Sequence, residues 1–383
     1  PLHRAIPPGT PPAAASFSPE LLGRGAQVFG AGNCGHCHTV EGGPANAGGR
    51  PVGTPFGTIW TTNLTPDPET GMGRWTYAAF ERAMRHGIGR DGSNLYPAFP
   101  YTSFAGMSQD DMFALYAHLQ TLEPVRQEIP EAHLTFPANL RPATAIWNLM
   151  FHDPKPLMAD SGRDAIWNRG RYLVETLGHC SACHSPRNPL GAERTGEHHL
   201  AGAMIGGWYA PPLAGSDAAS RGWDSDSLTT YLNTGHAPGI AAAAGPMADV
   251  VANLQALPDA DRAAMATYLA DLPTPATATV PAPVPRMTDD PTHRLFETAC
   301  AACHEPAMPD MLTAARIPLD RSMAVRAPSP EAVSTIISEG LRAPDGLDLR
   351  DMPAFGAELP TARIAALSAY IRARYAPDLP PWD

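Results

Sequence analysis

Short apolar runs with helical spacing recur along this chain, and they fall into three similar sets. Residues 21–29, 170–177 and 293–298 each read as a short apolar helix. A second helix follows in each set, over 76–85 before Gly87, 227–233 before Gly235 and 330–338 before Gly340. Glycine past the last turn is expected as a left-handed cap, because it has no Cβ to clash there. A closing helix is predicted over 108–122, 259–272 and 361–375, with Tyr116, Tyr268 and Tyr370 at matching core positions. The expectation is an all-α chain of three tandem repeats with long Gly/Pro-rich loops, over 17–123, 164–272 and 287–377.

Between the repeats lie two different joins. Residues 273–286 are rich in Pro, Ala and Thr and read as an extended spacer. Residues 124–163 carry Phe136, Trp147, Met150 and Phe151, too much apolar mass for a free linker. Packing between domains is the expectation there, with a partner or the membrane surface as the alternative.

Composition narrows the partners. The net charge is −11, lysine occurs once, at Lys155, and no run of basic residues exists, so nucleic acid is excluded as a partner. With 43 prolines and 34 glycines among 383 residues the loops are long but not low-complexity. No apolar run is long enough to span a bilayer. The chain opens at Pro1, which leads us to expect a processed start.

The first helix of each set runs into Cys-x-x-Cys-His: Cys34, Cys37 and His38; Cys180, Cys183 and His184; Cys300, Cys303 and His304. These motifs use all six cysteines. Two thiols one helical turn apart can capture the two vinyl groups of a porphyrin, and the adjoining histidine can bind its iron. A zinc knuckle would need two pairs close together, and a redox dithiol would not need the histidine three times. Three covalently bound haem c groups are therefore expected, and with them a bacterial periplasmic location, since such haems are attached outside the energy-transducing membrane.

A distal iron ligand is expected between the capping glycine and the closing helix. Met247 stands 12 residues after Gly235, and Met352 stands 12 after Gly340. A thioether there would complete His/Met coordination and raise the iron's potential. The first repeat has Phe99 at that place, which cannot bind iron. Met107 is preferred for the first haem, with His86, Met84 or an open site as alternatives. His118, His133, His198 and His199 show no ligand spacing, and no catalytic triad, phosphate loop or paired acid is present, so no catalytic residue is assigned.

On these motifs, together with GTIWTTNLTPDPETG (57–71), LYPAFPY (95–101) and GRYLVE (170–175), the chain resembles the three-haem cytochrome c subunits of bacterial membrane-bound dehydrogenases, from about Leu21 to Tyr375. The resemblance implies three cytochrome c domains that take electrons from a catalytic subunit and pass them to membrane ubiquinone. It implies a non-catalytic subunit on the periplasmic side of the inner membrane, peripheral or anchored by a segment not in this chain. LTFPANLRP (134–142) and Phe99 look more like the branch whose partners are a molybdopterin aldehyde dehydrogenase and an iron-sulfur subunit. A quinoprotein alcohol dehydrogenase carrying pyrroloquinoline quinone and a flavin-linked sugar dehydrogenase are the alternative partners. The competing class is an enzyme in its own right, a multihaem peroxidase or thiosulfate-oxidising cytochrome.

Overall fold

The computed structural model describes residues 3–214, 223–273, 290–305, 319–343, 346 and 351–382. The chain forms two compact units. One comprises Pro1–Ala182, Asn188–Ala192 and Asn253–Asp261; the other comprises Cys183–Arg187, Glu193–Ala252 and Arg262–Asp383.

In the first unit, α1 (Pro19–Ala31) begins where Ser18 accepts a hydrogen bond from the Leu21 amide and Pro19 fills the first turn. Helix α2 (Tyr77–His86) is capped by Thr76 and ends at Gly87, which adopts the left-handed conformation as expected. Helix α3 (Gln109–Leu119) is capped by Ser108, with Asp110 and Asp111 in its first turn to complement the dipole. A side chain at Gly25 of α1 would overlap the Ala114 carbonyl of α3, so this glycine sets how closely the two helices approach. Arg24 bonds Asp111 at 2.6 Å across the same pair. Phe80, Met84, Tyr101, Phe104, Met107, Met112 and Tyr116 are buried in this unit, and the Tyr116 hydroxyl donates to the Trp75 carbonyl at 2.8 Å.

The segment 124–163 packs on that core. It holds α4 (Arg141–Phe151). Tyr101 donates to Asn148 at 2.5 Å, Arg141 to the Asn94 carbonyl at 2.8 Å, and the Leu157 amide to the Gly106 carbonyl at 3.0 Å. All three bonds tie the segment to residues 94–106 of the first repeat.

Helix α5 (Ala165–Tyr172) starts earlier than the apolar run indicates, because Asp164 accepts from the Trp167 amide and caps it. Residues Leu173–Leu177 then form a π turn, closed by a bond from the Gly178 amide to the Leu173 carbonyl at 2.7 Å. The apolar spacing alone predicts ordinary helix over this stretch.

The second unit contains α6 (Ser225–Thr234), opened by a reciprocal Asp224/Ser227 capping box and closed by left-handed Gly235. Helices α7 (Pro246–Leu254) and α8 (Asp259–Ala270) come next in the chain, with residues 253–254 and 259–261 belonging to the first unit, then α9 (Pro291–Ala299), α10 (Glu331–Glu339) and α11 (Thr361–Tyr375). Phe296 of α9 sits 5.5 Å from the Tyr370 ring and 5.8 Å from the Tyr375 ring of α11, at the centre of a core that includes Val325, Val333, Ile337 and Leu367. Tyr268 and Tyr370 are buried, as Tyr116 is. Gly340 departs from the expected cap: its φ of 71° is positive, but its ψ of −171° is extended. A Cβ there would overlap the Met352 carbonyl.

Helix dominates the described residues, as expected of an all-α fold, with three short antiparallel sheets in the loops. Strands β1 (Pro51–Thr54), β2 (Gly57–Trp60) and β3 (His133–Leu134) form one, β4 (Ala203–Ile205) and β5 (Trp208–Ala210) a second, β6 (His236–Ala237) and β7 (Ala241–Ala242) a third. Long loops must pair their backbone amides somewhere, and hairpins do so locally. Of the Pro-rich join 273–286, all but Pro273 lies outside the described residues.

Candidate functional site

Each attachment motif is a single helical turn. After α1, Gly32 and left-handed Asn33 break the chain direction, and Cys34–Cys37 then form a turn on which both thiols lie. His38 closes it through its amide to the Cys34 carbonyl at 3.0 Å. The third motif repeats this, with the His304 amide on the Cys300 carbonyl at 3.0 Å. In the second motif the helical turn is Ser181–His184.

The two motifs whose following loops are described share a more telling feature. The Nδ1–H of His38 donates to the Thr62 carbonyl at 2.6 Å, and that of His184 donates to the Pro211 carbonyl at 2.6 Å. The histidine's own carbonyl is also held in each case, by the Gly48 amide and the Gly202 amide, both at 2.7 Å. With the proton on Nδ1, Nε2 carries the lone pair, which is the tautomer an iron ligand needs. Burial lowers the pKa of both imidazoles, against the smaller opposing pull of the carbonyl bond, so both are neutral at pH 7. The corresponding loop of the third motif, 306–318, lies outside the described residues.

Local geometry explains how the Thr62 carbonyl is presented. Gly48 has a φ of 75°, and a Cβ there would lie 2.5 to 2.6 Å from the Thr62 carbonyl group and the Thr61 oxygen. Only glycine lets the two backbones meet. Arg50 adds a bond from its guanidinium to the His36 carbonyl at 2.7 Å.

None of the six cysteines pairs with another in a disulfide. Burial, and then the neighbouring Cys37 thiol, pushes the Cys34 thiol up to about 12. Burial likewise raises Cys37 and Cys300. Among the described residues no group of three or more His, Cys, Asp or Glu side chains is arranged to hold a metal ion. The donor set fits a covalently attached haem: two thiols on one turn beside a neutral imidazole whose second nitrogen is fixed.

The methionines occupy three different settings. Met107 is 0% exposed, immediately ahead of α3 and in the same unit as Cys34 to His38. Its carbonyl accepts from Arg85 at 3.2 Å, while the Ala105 carbonyl accepts from the same guanidinium at 2.6 Å. The Ser108 amide that follows donates to the Tyr172 hydroxyl at 3.1 Å. Of the alternatives, His86 is exposed and Met84 is buried, while Phe99 packs on Tyr101 and Phe104 at 6.1 and 5.7 Å. Met247 is the second residue of α7 and packs with Ala243, Ala248 and Val251. Met352 bridges Leu341, with both backbone bonds at 2.9 Å, and packs on the core around Phe296.

Equal spacing from the glycine thus does not give equal placement. The residue after Gly87 bridges Asn94 and the residue after Gly235 bridges Ala242, but the residue after Gly340 bridges Met352 itself. Arg85, Gly48, Thr62 and Pro211 carry no mark in the sequence that would single them out. Backbone acceptors leave no side-chain signature, and a buried arginine on a helix resembles any surface one.

Residues 22–123 match the Cytochrome c family, and residues 288–371 match the family described as Cytochrome C oxidase, cbb3-type, subunit III. A diheme cytochrome c-type protein of Cereibacter sphaeroides is 39% identical over 257 residues, covering 65% of this chain and 85% of that relative. The chain belongs to the cytochrome c family. This cytochrome is also 46% identical over 390 residues to a subunit of the nicotinate dehydrogenase of Pseudomonas putida, across its whole length and 33% of the relative's. The fructose dehydrogenase cytochrome subunit of Gluconobacter japonicus is 40% identical over 269 residues, covering 69% of this cytochrome and 55% of the relative. This cytochrome therefore spans from a third to just over half of the length of those two relatives. The resemblance to dehydrogenase cytochrome subunits read from its motifs is borne out.

Proposed function

We propose that this cytochrome is the electron-transfer subunit of a periplasmic membrane-bound dehydrogenase, passing electrons through three c-type haems to ubiquinone. The observation that carries the reading is the repeated histidine setting, His38 on Thr62 and His184 on Pro211, behind paired cysteines that occur three times. A bound c-type haem supplies a one-electron iron couple. Three haem domains are assigned to 17–123, 164–272 and 287–377. Cys34, Cys37, Cys180, Cys183, Cys300 and Cys303 hold the porphyrins. His38 with Met107, His184 with Met247 and His304 with Met352 are the axial pairs.

The chain's own residues bind and orient; they do not turn over a substrate. Carbonyls fix the imidazole tautomers, and burial disfavours a second proton on either ring. The catalytic partner is a molybdopterin-type dehydrogenase with an iron-sulfur subunit. The 134–142 stretch supports this branch, and similarity along the whole chain to a nicotinate dehydrogenase subunit supports a dehydrogenase partner.

Mass spectrometry of the denatured, matured chain tests the haem count, with three retained porphyrins expected. The isolated chain should be reduced by dithionite but not by nicotinate, an aldehyde or an alcohol. Direct reduction by any of those substrates would make it an enzyme and overturn the assignment.

A further inference from the structure

Helix α4 is amphipathic in the wrong sense for a helix at a water-facing surface. Its polar side chains point into the protein: Thr144 is 5% exposed, and Asn148 accepts from Tyr101. Its outward stripe is Pro142, Ile146, Leu149 and Met150, at the i, i+4, i+7, i+8 spacing of one helical face, with Leu149 87% and Ile146 61% exposed. Phe136, 76% exposed, and Leu140 extend the stripe ahead of the helix.

The arrangement is built in. Arg141 on Asn94, Tyr101 on Asn148, Trp147 on the Leu190 carbonyl at 2.9 Å and His152 on the Arg85 carbonyl at 2.9 Å hold the helix from its first turn to its last. None of these bonds could survive a rotation that turned the stripe inward.

We propose that this stripe is the seat by which the cytochrome lies on a lipid bilayer. The proposal rests on the membrane-side location inferred above and names the surface responsible. Three observations favour lipid over a protein partner. None of the six stripe side chains can donate a hydrogen bond, and the Met150 thioether is their one weak acceptor, whereas protein interfaces carry about one hydrogen bond per 100 to 200 Å². From Ala132 to His152 there is no carboxylate and one permanent cation, Arg141, in a chain of net charge −11. A segment without acids adds no like-charge repulsion of its own against an anionic leaflet. Finally, α4 has 11 residues, well short of the roughly 20 needed to span a bilayer, so it suits lying in the plane of the interface.

The test is flotation of the full haem-loaded chain with vesicles of mixed phosphatidylethanolamine and phosphatidylglycerol. The wild type should float. The double variant Ile146→Glu, Leu149→Glu should lose about tenfold or more in partitioning, since each change removes a large apolar group from lipid. Phe136→Glu, outside the helix, should lose less but in the same direction. Three low-spin haem spectra, unchanged in each variant, would show that the fold is kept. Wild-type chain that stays with the soluble fraction, or variants that float as well as wild type, would overturn the seat. So would variants that float normally but no longer hold the catalytic subunits, which would make the occupant a protein. Reduction by dithionite and porphyrin retention are independent of all these outcomes, so the relay assignment can stand if the seat falls.

Discussion

The guanidinium of Arg85 donates to the carbonyl of Met107 at 3.2 Å and to that of Ala105 at 2.6 Å. Arg85 is itself buried, paired with Glu81 at 3.7 Å. One arginine on α2 therefore holds the backbone on both sides of Gly106. Arg85→Leu should leave those two carbonyls unsatisfied, at a cost of about 2 to 4 kcal/mol. If Met107 binds the first haem's iron, the variant should also weaken the sulfur-to-iron absorption of one haem in three, and Arg85→Lys should restore it in part. Loss of stability with all three bands intact would separate Met107 from the iron.

The axial roles proposed for Met247 and Met352 can be tested singly. Met247→Ala and Met352→Ala should each lower the potential of one haem and weaken its sulfur-to-iron band, because a thioether stabilises the reduced iron. Redox titration followed by visible and near-infrared absorption reads both. Met352 also packs on the core around Phe296, so its alanine variant should unfold more readily, by about 2 to 4 kcal/mol.

Gly48→Ala should act on His38 without touching it. The new methyl would press on the Thr62 carbonyl group and must adopt a φ of 75°, a combined cost of about 2 kcal/mol or more. Displacing the carbonyl frees the imidazole Nδ1–H, so the potential of one haem should shift while the other two hold. Resonance Raman of the iron-histidine stretch in the ferrous protein would show whether the tautomer lock is lost.

Burial holds the His118 imidazole below its ordinary value, against the Phe29 ring 5.2 Å away. The unfolded chain then takes up this proton before the folded one does, so stability falls as pH drops below about 6.5. His118→Phe should keep the packing and remove this contribution. The denaturation midpoint of the variant should change less between pH 7.5 and pH 5.5 than that of the wild type. An identical change in both proteins would mean that His118 carries no acid sensitivity.

Side-chain patterns make the helices and attachment motifs legible. The caps at Thr76, Ser108 and Asp224, the left-handed Gly87 and Gly235 and the buried tyrosines are all consequences of local residue type. Backbone acceptors are not legible. Thr62 lies within the 57–71 stretch that carries the family resemblance, yet nothing about a threonine says that its carbonyl will meet a histidine. Counting 12 residues from a glycine places Met247 and Met352 alike in sequence but on a helix and in a strand-like bridge in the fold, because an extended Gly340 delays the bridge. Pro142 disguises the start of α4, since proline early in a segment fits a linker as well as a first helical turn.

The π turn at Leu173–Leu177 places one residue more between α5 and Cys180 than an unbroken α-helix would use. Each residue of helix turns the chain by about 100°. Deleting one residue from this turn would leave every side-chain type in the second attachment motif unchanged and swing its thiols about a quarter of the way around the helix axis. Where this protein offers its second pair of sulfurs is therefore governed by chain length, a quantity that no substitution can mimic.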